Sequence, residues 1–235
     1  MSISAPPSIA QIVPVPQVHG HSRTAVSRQA RPSSMLLSLL TRQTRTFAIL
    51  GGSQLWRSPA ATSGSLGHAE SWSAITSTLT GIITAIAIHP TDSNTVYVGT
   101  SQGHIYRVQK TGATWNLADV TTTDLTGANL PTSLYISDLV VDTAGTVWVT
   151  VAAVLWTEST GEFSNNHVYR RLAGASTWET RSNGLAQANP INSIVIDPTN
   201  QNRLFCGGDA GVFRTEDAGG NWTAWDEGLP KCASV

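Results

Sequence analysis

Ile191 to Trp225, INSIVIDPTNQNRLFCGGDAGVFRTEDAGGNWTAW, constrains this chain more than any other stretch, because much of the remaining sequence is a weaker copy of it. Ile191 to Ile196 is apolar and β-branched and has the length of one strand. Asp197 to Asn202 follows as a turn, since proline fixes φ and lacks an N–H while Asn and Asp tolerate the left-handed region. Arg203 to Cys206, Val212 to Arg214 and Trp222 to Trp225 read as the second, third and fourth strands, set apart by Gly207–Gly211 and Thr215–Asn221. Four short antiparallel strands in so few residues make a meander that cannot bury both of its faces alone.

Copies lie upstream. Ile83 to Ile88, Ile136 to Val141 and Ile191 to Ile196 align without gaps, at a period of roughly 50 residues, inside the range of structural repeats. Second strands are Thr95–Val98 and Thr146–Val149; third strands are Ile105–Arg107 and Val168–Arg170; fourth strands open on Trp115 and Trp178. A more degraded first copy begins at Met35 and continues through Phe47–Gly52, Leu55–Arg57 and Trp72. The expectation is an all-β protein of about four four-stranded antiparallel blades, with residues 1–34 as a separate disordered or targeting segment and 35–235 as the repeat region.

Thr215-x-Asp217-x-Gly219-x-x-Trp222 resembles the Asp-box hairpin of BNR repeats, and the preceding Ile-x-x-Ile-x-Ile-Asp-Pro and Gly-Val-Phe-Arg-Thr segments strengthen the likeness. The family is that of BNR-type β-propellers, which includes sialidases, xyloglucanases, sortilin and a photosystem II assembly factor. The resemblance implies a propeller, complete or incomplete, with Thr215, Asp217, Gly219 and Trp222 in a structural turn. The full box occurs once: the position of Asp217 is held by Lys110, Ala173 and Gly67 in the other copies. The box recurs in enzymes and in pure binding proteins, so it implies no activity by itself.

Net charge is −1 and charged residues are 12%, which gives no bulk attraction to nucleic acid. No run approaches the ~20 apolar residues of a membrane-spanning helix. Residues 1–34 contain Arg23, Arg28 and Arg31 but no acidic residue and no lysine, a composition shared by organellar transit peptides, although the prolines oppose an amphipathic helix. Ser8–Val13 is an alternative closing strand. The polar, low-charge composition favours an extracellular or organellar setting over a cytoplasmic one. Of the two cysteines, Cys206 falls where Val98 and Val149 stand and reads as core, while a Cys206–Cys232 disulfide is the alternative. No metal or cofactor is expected: His19-Gly20-His21 is too small a cluster, and no zinc spacing, phosphate loop or G-x-S-x-G occurs.

Two insertions break the regularity. One is the connection between Trp115 and Ile136; the other, 152–166, replaces the short Ser101-Gln102-Gly103 of the preceding copy. In a four-stranded blade the fourth-to-first and second-to-third connections emerge on the same face of the propeller. Both insertions therefore decorate one face of the third blade, where long loops in a compact domain tend to carry function. Tyr135, Trp156, Glu158, Glu162 and Phe163 are the candidate ligand-binding residues, with drift in loop length as the alternative.

The recurring pairs Trp56-Arg57, Tyr106-Arg107, Tyr169-Arg170 and Phe213-Arg214 offer a ring of arginines, but one pair per blade is also what a structural repeat produces. A sialidase-like arginine triad lacks its proline here, since the nearest match is Tyr106-Arg107-Val108-Gln109. A glycosidase needs two carboxylates across the substrate, and Glu158 and Glu162 are a pair by proximity alone. The leading expectation is a non-catalytic binding or scaffold module for a protein or glycan. A carbohydrate-active hydrolase, or a fragment of one, is the alternative, and no catalytic residue is assigned. Trp225–Pro230 resembles the run-in to another blade, which raises a truncated propeller or self-assembly that completes a ring.

Overall fold

The computed structural model describes residues 37–40, 48–58, 72–120, 134–152, 155–157, 162–164, 166–185 and 190–225. The segment 1–34, the closing strand at Ser8–Val13, Glu158, Cys232 and the run-in after Trp225 lie outside them.

Four antiparallel four-stranded sheets follow one another along the chain. Blade 1 is β1 (Leu37–Leu40), β2 (Ala48–Gly51), β3 (Leu55–Ser58) and β4 (Ser73–Ala74). Blade 2 is β5 (Ile83–Ile88), β6 (Thr95–Thr100), β7 (Ile105–Thr111) and β8 (Thr114–Asp119). Blade 3 is β9 (Ile136–Val141), β10 (Val147–Val151), β13 (Val168–Arg171) and β14 (Glu179–Thr180), interrupted by the hairpin β11 (Leu155–Thr157) and β12 (Glu162–Ser164). Blade 4 is β15 (Ile191–Asp197), β16 (Asn200–Gly208), β17 (Gly211–Thr215) and β18 (Thr223–Ala224). Each sheet is a plain meander, the all-β propeller architecture expected from the repeat.

The core lies between blades. One apolar cluster joins Ile49 and Leu55 of blade 1 to Ile83, Val96 and Tyr106 of blade 2. The next joins Ala85, Tyr97 and Val120 to Ile136, Val149 and Trp178, and a third joins Trp148 and Val168 to Ile194, Phe213 and Trp222. This explains why β6 is buried at every residue, as a strand covered on both faces must be, while the outer β8 is not. Cys206 sits in the third cluster as a free thiol, and burial pushes its pKa up to about 12. It occupies the register position of Val98 and Val149.

Three devices stitch neighbouring blades. First, the ladders skip one residue near the start of the first strand in blades 2, 3 and 4, at Thr84, Ser137 and Asn192. The bulge frees the Thr84 and Ser137 hydroxyls to donate to the carbonyls of Ile136 and Ile191 in the following blade, both at 2.6 Å. Second, Trp178 Nε1 donates to Val120 O at 3.0 Å and Trp222 Nε1 to Arg181 O at 2.7 Å, each reaching the preceding blade. Third, at the boundaries of blades 1 and 2 and of blades 2 and 3, glycine leaves a seat for the first isoleucine of the next blade, a rung that Thr150 holds in blade 3. A Cβ on Gly51 would stand 2.8 Å from Ile83 Cγ2, and one on Gly99 would collide with Ile136 Cγ2.

The fourth strands are not all in the expected register. Trp178 and Trp222 stand opposite Arg171 and Thr215, extrapolating the pairings of β13–β14 and β17–β18 by one rung. In blade 2, β7 and β8 zip further, to Thr111 opposite Thr114, and Trp115 pairs with Lys110. Leu117, opposite Val108, takes the place that Trp178 and Trp222 hold.

Candidate functional site

The face that carries the two insertions is closed in the same way in three blades. Ser101 N donates to Ile82 O at 2.8 Å, Ala152 N to Tyr135 O at 3.2 Å and Asp209 N to Pro190 O at 3.4 Å. Each bond ties the entry of a blade's first strand to the exit of its second. In blade 2 the chain then turns back at once, with Gly103 at φ +78° and His104 N donating to the Thr100 hydroxyl. In blade 3 the hairpin of β11 and β12 stands between the second and third strands instead.

Tyr135 therefore stands at the common root of both insertions, with 39% of its surface exposed. Trp156 and Phe163 are direct cross-strand partners in the hairpin, and Glu162 is paired with Thr157. Glu158 and residues 121–133 lie outside the described residues. The backbone thus brings Trp156, Glu162 and Phe163 into one hairpin whose base is bonded to Tyr135.

Sequence reasoning passed over a histidine–carboxylate pair at the same repeat position. His104 Nδ1 lies 3.0 Å from Asp119 Oδ2, with side chains 28% and 32% exposed, and its ring stacks on Tyr106 at 5.8 Å. Its counterpart in blade 3, His167, is fully buried, and neither ring nitrogen meets a hydrogen-bond partner among the described residues. Burial lowers its pKa, so the ring is held neutral. Histidine immediately before the third strand in two consecutive copies is the signal that marks the position.

The arginines of the repeat are engaged in packing. Arg57 lies over the Trp115 ring at 5.7 Å across a blade boundary, and Arg170 over Trp148 at 5.4 Å. Arg170 and Arg181 share Glu179 Oε2 at 2.7 and 2.6 Å, and their hydrogen bonds hold that carboxyl below its ordinary pKa. Arg214 pairs with Glu216 at 3.3 Å. A polar cleft of about 250 Å³ opens beside this group, between Thr180–Asn183 and the Gly219–Gly220 turn of blade 4. Among the described residues no three His, Cys, Asp or Glu side chains converge as a metal site would require. No helix among them is long and apolar enough to cross a membrane.

The Asp-box is a self-contained turn on the opposite face. The Thr215 hydroxyl donates to Asp217 Oδ1 at 2.6 Å and accepts from Gly219 N at 3.0 Å, while Asp217 Oδ1 also accepts from Asn221 N at 2.9 Å. Gly219 has φ +73°, and a Cβ there would press on Trp148 at 3.0 Å, so both backbone and packing select glycine. Trp222 is 2% exposed. Thr215, Asp217 and Gly219 bond within the turn, and Trp222 alone of the four donates to the preceding blade.

No protein-family model and no curated protein match this sequence. Solved structures do. A GH74 enzyme of Niastella koreensis superposes with a TM-score of 0.56 at 18% identity, over 79% of this chain and 28% of the enzyme. An ancestral GH74 enzyme gives 0.58 at 17% identity, over 82% of this chain and 24% of its own length. YCF48 bound to a D1 peptide gives 0.54 at 14%, over 87% of this chain and 58% of that one. The chain thus spans about a quarter of the GH74 enzymes and just over half of YCF48. At such identities the likeness is one of fold, and that fold is the β-propeller.

Proposed function

We propose that this chain is a non-catalytic binding module whose ligand, a peptide segment of a protein or a glycan, is taken by the inserted face of blade 3. The observation that carries the reading is the Ala152 N to Tyr135 O bond, which roots both long connections at one exposed aromatic. Tyr135 with Trp156 and Phe163 would supply the stacking and apolar contact that either ligand uses, and Glu162 the polar contact. A fold shared with a protein captured on a D1 peptide is consistent with a peptide ligand.

The test replaces 152–166 by the Ser-Gln-Gly connection of blade 2 and measures binding to peptide and oligosaccharide arrays beside thermal unfolding. Loss of binding with an unchanged midpoint is expected, because the excised hairpin pairs only with itself. Undiminished binding would sink the idea. A hydrolase remains the second reading, favoured by the fold shared with two GH74 enzymes. It requires oligosaccharide turnover that falls with Glu158→Gln or Glu162→Gln, and an array that is bound but never cleaved counts against it.

A further inference from the structure

Each blade presents an outgoing face to the blade that follows, and the faces are homologous by register. In blade 2 that face is formed by Ala87, Tyr97, Ile105 and Val120, all buried beneath blade 3. The same positions in blade 4 are Val195, Phe205, Val212 and Trp225. They remain apolar, yet Val195 is 52% and Trp225 37% exposed. Phe205 and Trp225 pack on each other at 4.9 Å.

Glycine at the rung opposite the third strand points the same way at two of the three boundaries, Thr150 holding that rung in blade 3. Gly51 and Gly99 are each filled by the first isoleucine of the next blade. Gly207 holds the same rung, and a Cβ built on it meets no atom within 4 Å. Blade 4 therefore retains the seat without its occupant.

The incoming side of blade 1 is the matching half. Trp56 stands at the position of Tyr106, Tyr169 and Phe213, which are 6%, 1% and 8% exposed against a preceding blade, whereas Trp56 is only half-buried. Trp72 is opposite Ser58 by extrapolation of the β3–β4 pairing, which is the rung of the two anchoring tryptophans. It too is half-buried. Among the described strands, contacts run from blade 1 to 2, 2 to 3 and 3 to 4, with none of comparable extent from 4 back to 1.

We propose that the free face of blade 4 receives blade 1 of a second copy of this chain, so that two chains close head to tail into one ring. The argument is continuity: the two exposed faces are the outgoing and incoming halves of an interface the molecule already builds three times. In the pair, Trp72 Nε1 of one copy donates to Trp225 O of the other, as Trp222 does to Arg181 O. A head-to-tail contact that closes after two copies covers the outgoing face of blade 4 and the incoming face of blade 1 in both, and does not run on into a fibre.

The experiment is sedimentation of the full chain over a range of concentrations, with far-UV circular dichroism of each variant. Wild type is expected at a mass near twice 24.9 kDa. Val195→Glu places a charge on a strand position that is 52% exposed in the folded chain. It should keep the wild-type spectrum and weaken the dimer about tenfold or more, as losing a central interface contact does. Leu172→Glu, at a residue 43% exposed in the blade 3 turn, should leave the dimer intact. A monomer at every concentration, a mass above two chains, a Val195→Glu dimer as tight as wild type, or equal loss with Leu172→Glu would each overturn the proposal.

Discussion

Blades 2 and 4 carry the same spacing, Arg107 to Trp115 and Arg214 to Trp222, and do opposite things with it. In blade 4 the Asp217 and Thr215 side chains hold the turn open, the ladder stops early, and Trp222 swings back onto blade 3. In blade 2 Lys110 replaces the aspartate and cannot accept those N–H groups. Gly112, at φ +61°, lets Thr111 and Thr114 close a tight hairpin instead. Trp115 is carried two rungs outward, where it packs on Arg57 and Lys110 half-buried, and Leu117, 38% exposed, is left at the anchoring rung. Blade 3 decides which difference matters: it has Ala173 in place of aspartate, yet Trp178 still reaches Val120 O. The anchor belongs to the register of the tryptophan, and the aspartate is one way of setting that register.

The sharpest way to break this comparison is to remove the two tryptophans separately. Trp222→Ala empties a fully enclosed site and strands the Arg181 carbonyl, so it should cost about 3–5 kcal/mol. Trp115→Ala loses partial burial and a cation–π contact, for about 1–2 kcal/mol. Urea midpoints of the two variants give the difference directly. Equal losses would mean that the rung does not matter.

The repeat period, the four meanders and the buried Cys206 were all legible in the sequence, because each follows from alternation or turn chemistry. The slip of Trp115 was not, since equal spacing along a chain says nothing about how far a hairpin zips. Nor were the bulges at Thr84 and Ser137, because gapless alignment of first strands hides a residue that leaves its ladder to bond the next blade. At the candidate site, strand parity alone led to the expectation of two connections on one face, and the described residues show the Ala152 N to Tyr135 O bond between their ends. The His104–Asp119 pair did not, because its two members lie 15 residues apart with no local pattern joining them.

A second contrast pits two aspartates against each other. Asp138 reaches from blade 3 to Ile194 N of blade 4 at 3.0 Å, and burial raises its pKa to about 6 despite that bond and one from Leu139 N. A carboxyl whose folded pKa lies above its unfolded value binds its proton more readily in the folded chain. The stability it contributes is present below pH ~4 and is lost as pH rises through about 6, by about 3 kcal/mol in all. Subtracting the pH–stability curve of Asp138→Asn from that of wild type should show this fall between pH 4 and 6. A flat difference would mean that the carboxyl is not desolvated at the blade boundary.

Asp217 has the opposite sign and a smaller effect. The Thr215 hydroxyl, then Asn221 N, hold its carboxyl below the ordinary aspartate range. Its contribution is therefore present above the unfolded pKa of about 3.9 and disappears as pH falls through the lower folded value. Asp217→Ala should destabilise at neutral pH by less than Trp222→Ala and converge on wild type in acid. It should leave Trp222 on Arg181 O, because blade 3 makes the same anchor across a turn of equal length without the aspartate. The readout is the indole N–H resonance of Trp222 and its exchange with solvent. A protected indole in Asp217→Ala places the anchor in turn length, whereas rapid exchange would give the aspartate a share in holding the tryptophan and limit the blade 3 parallel.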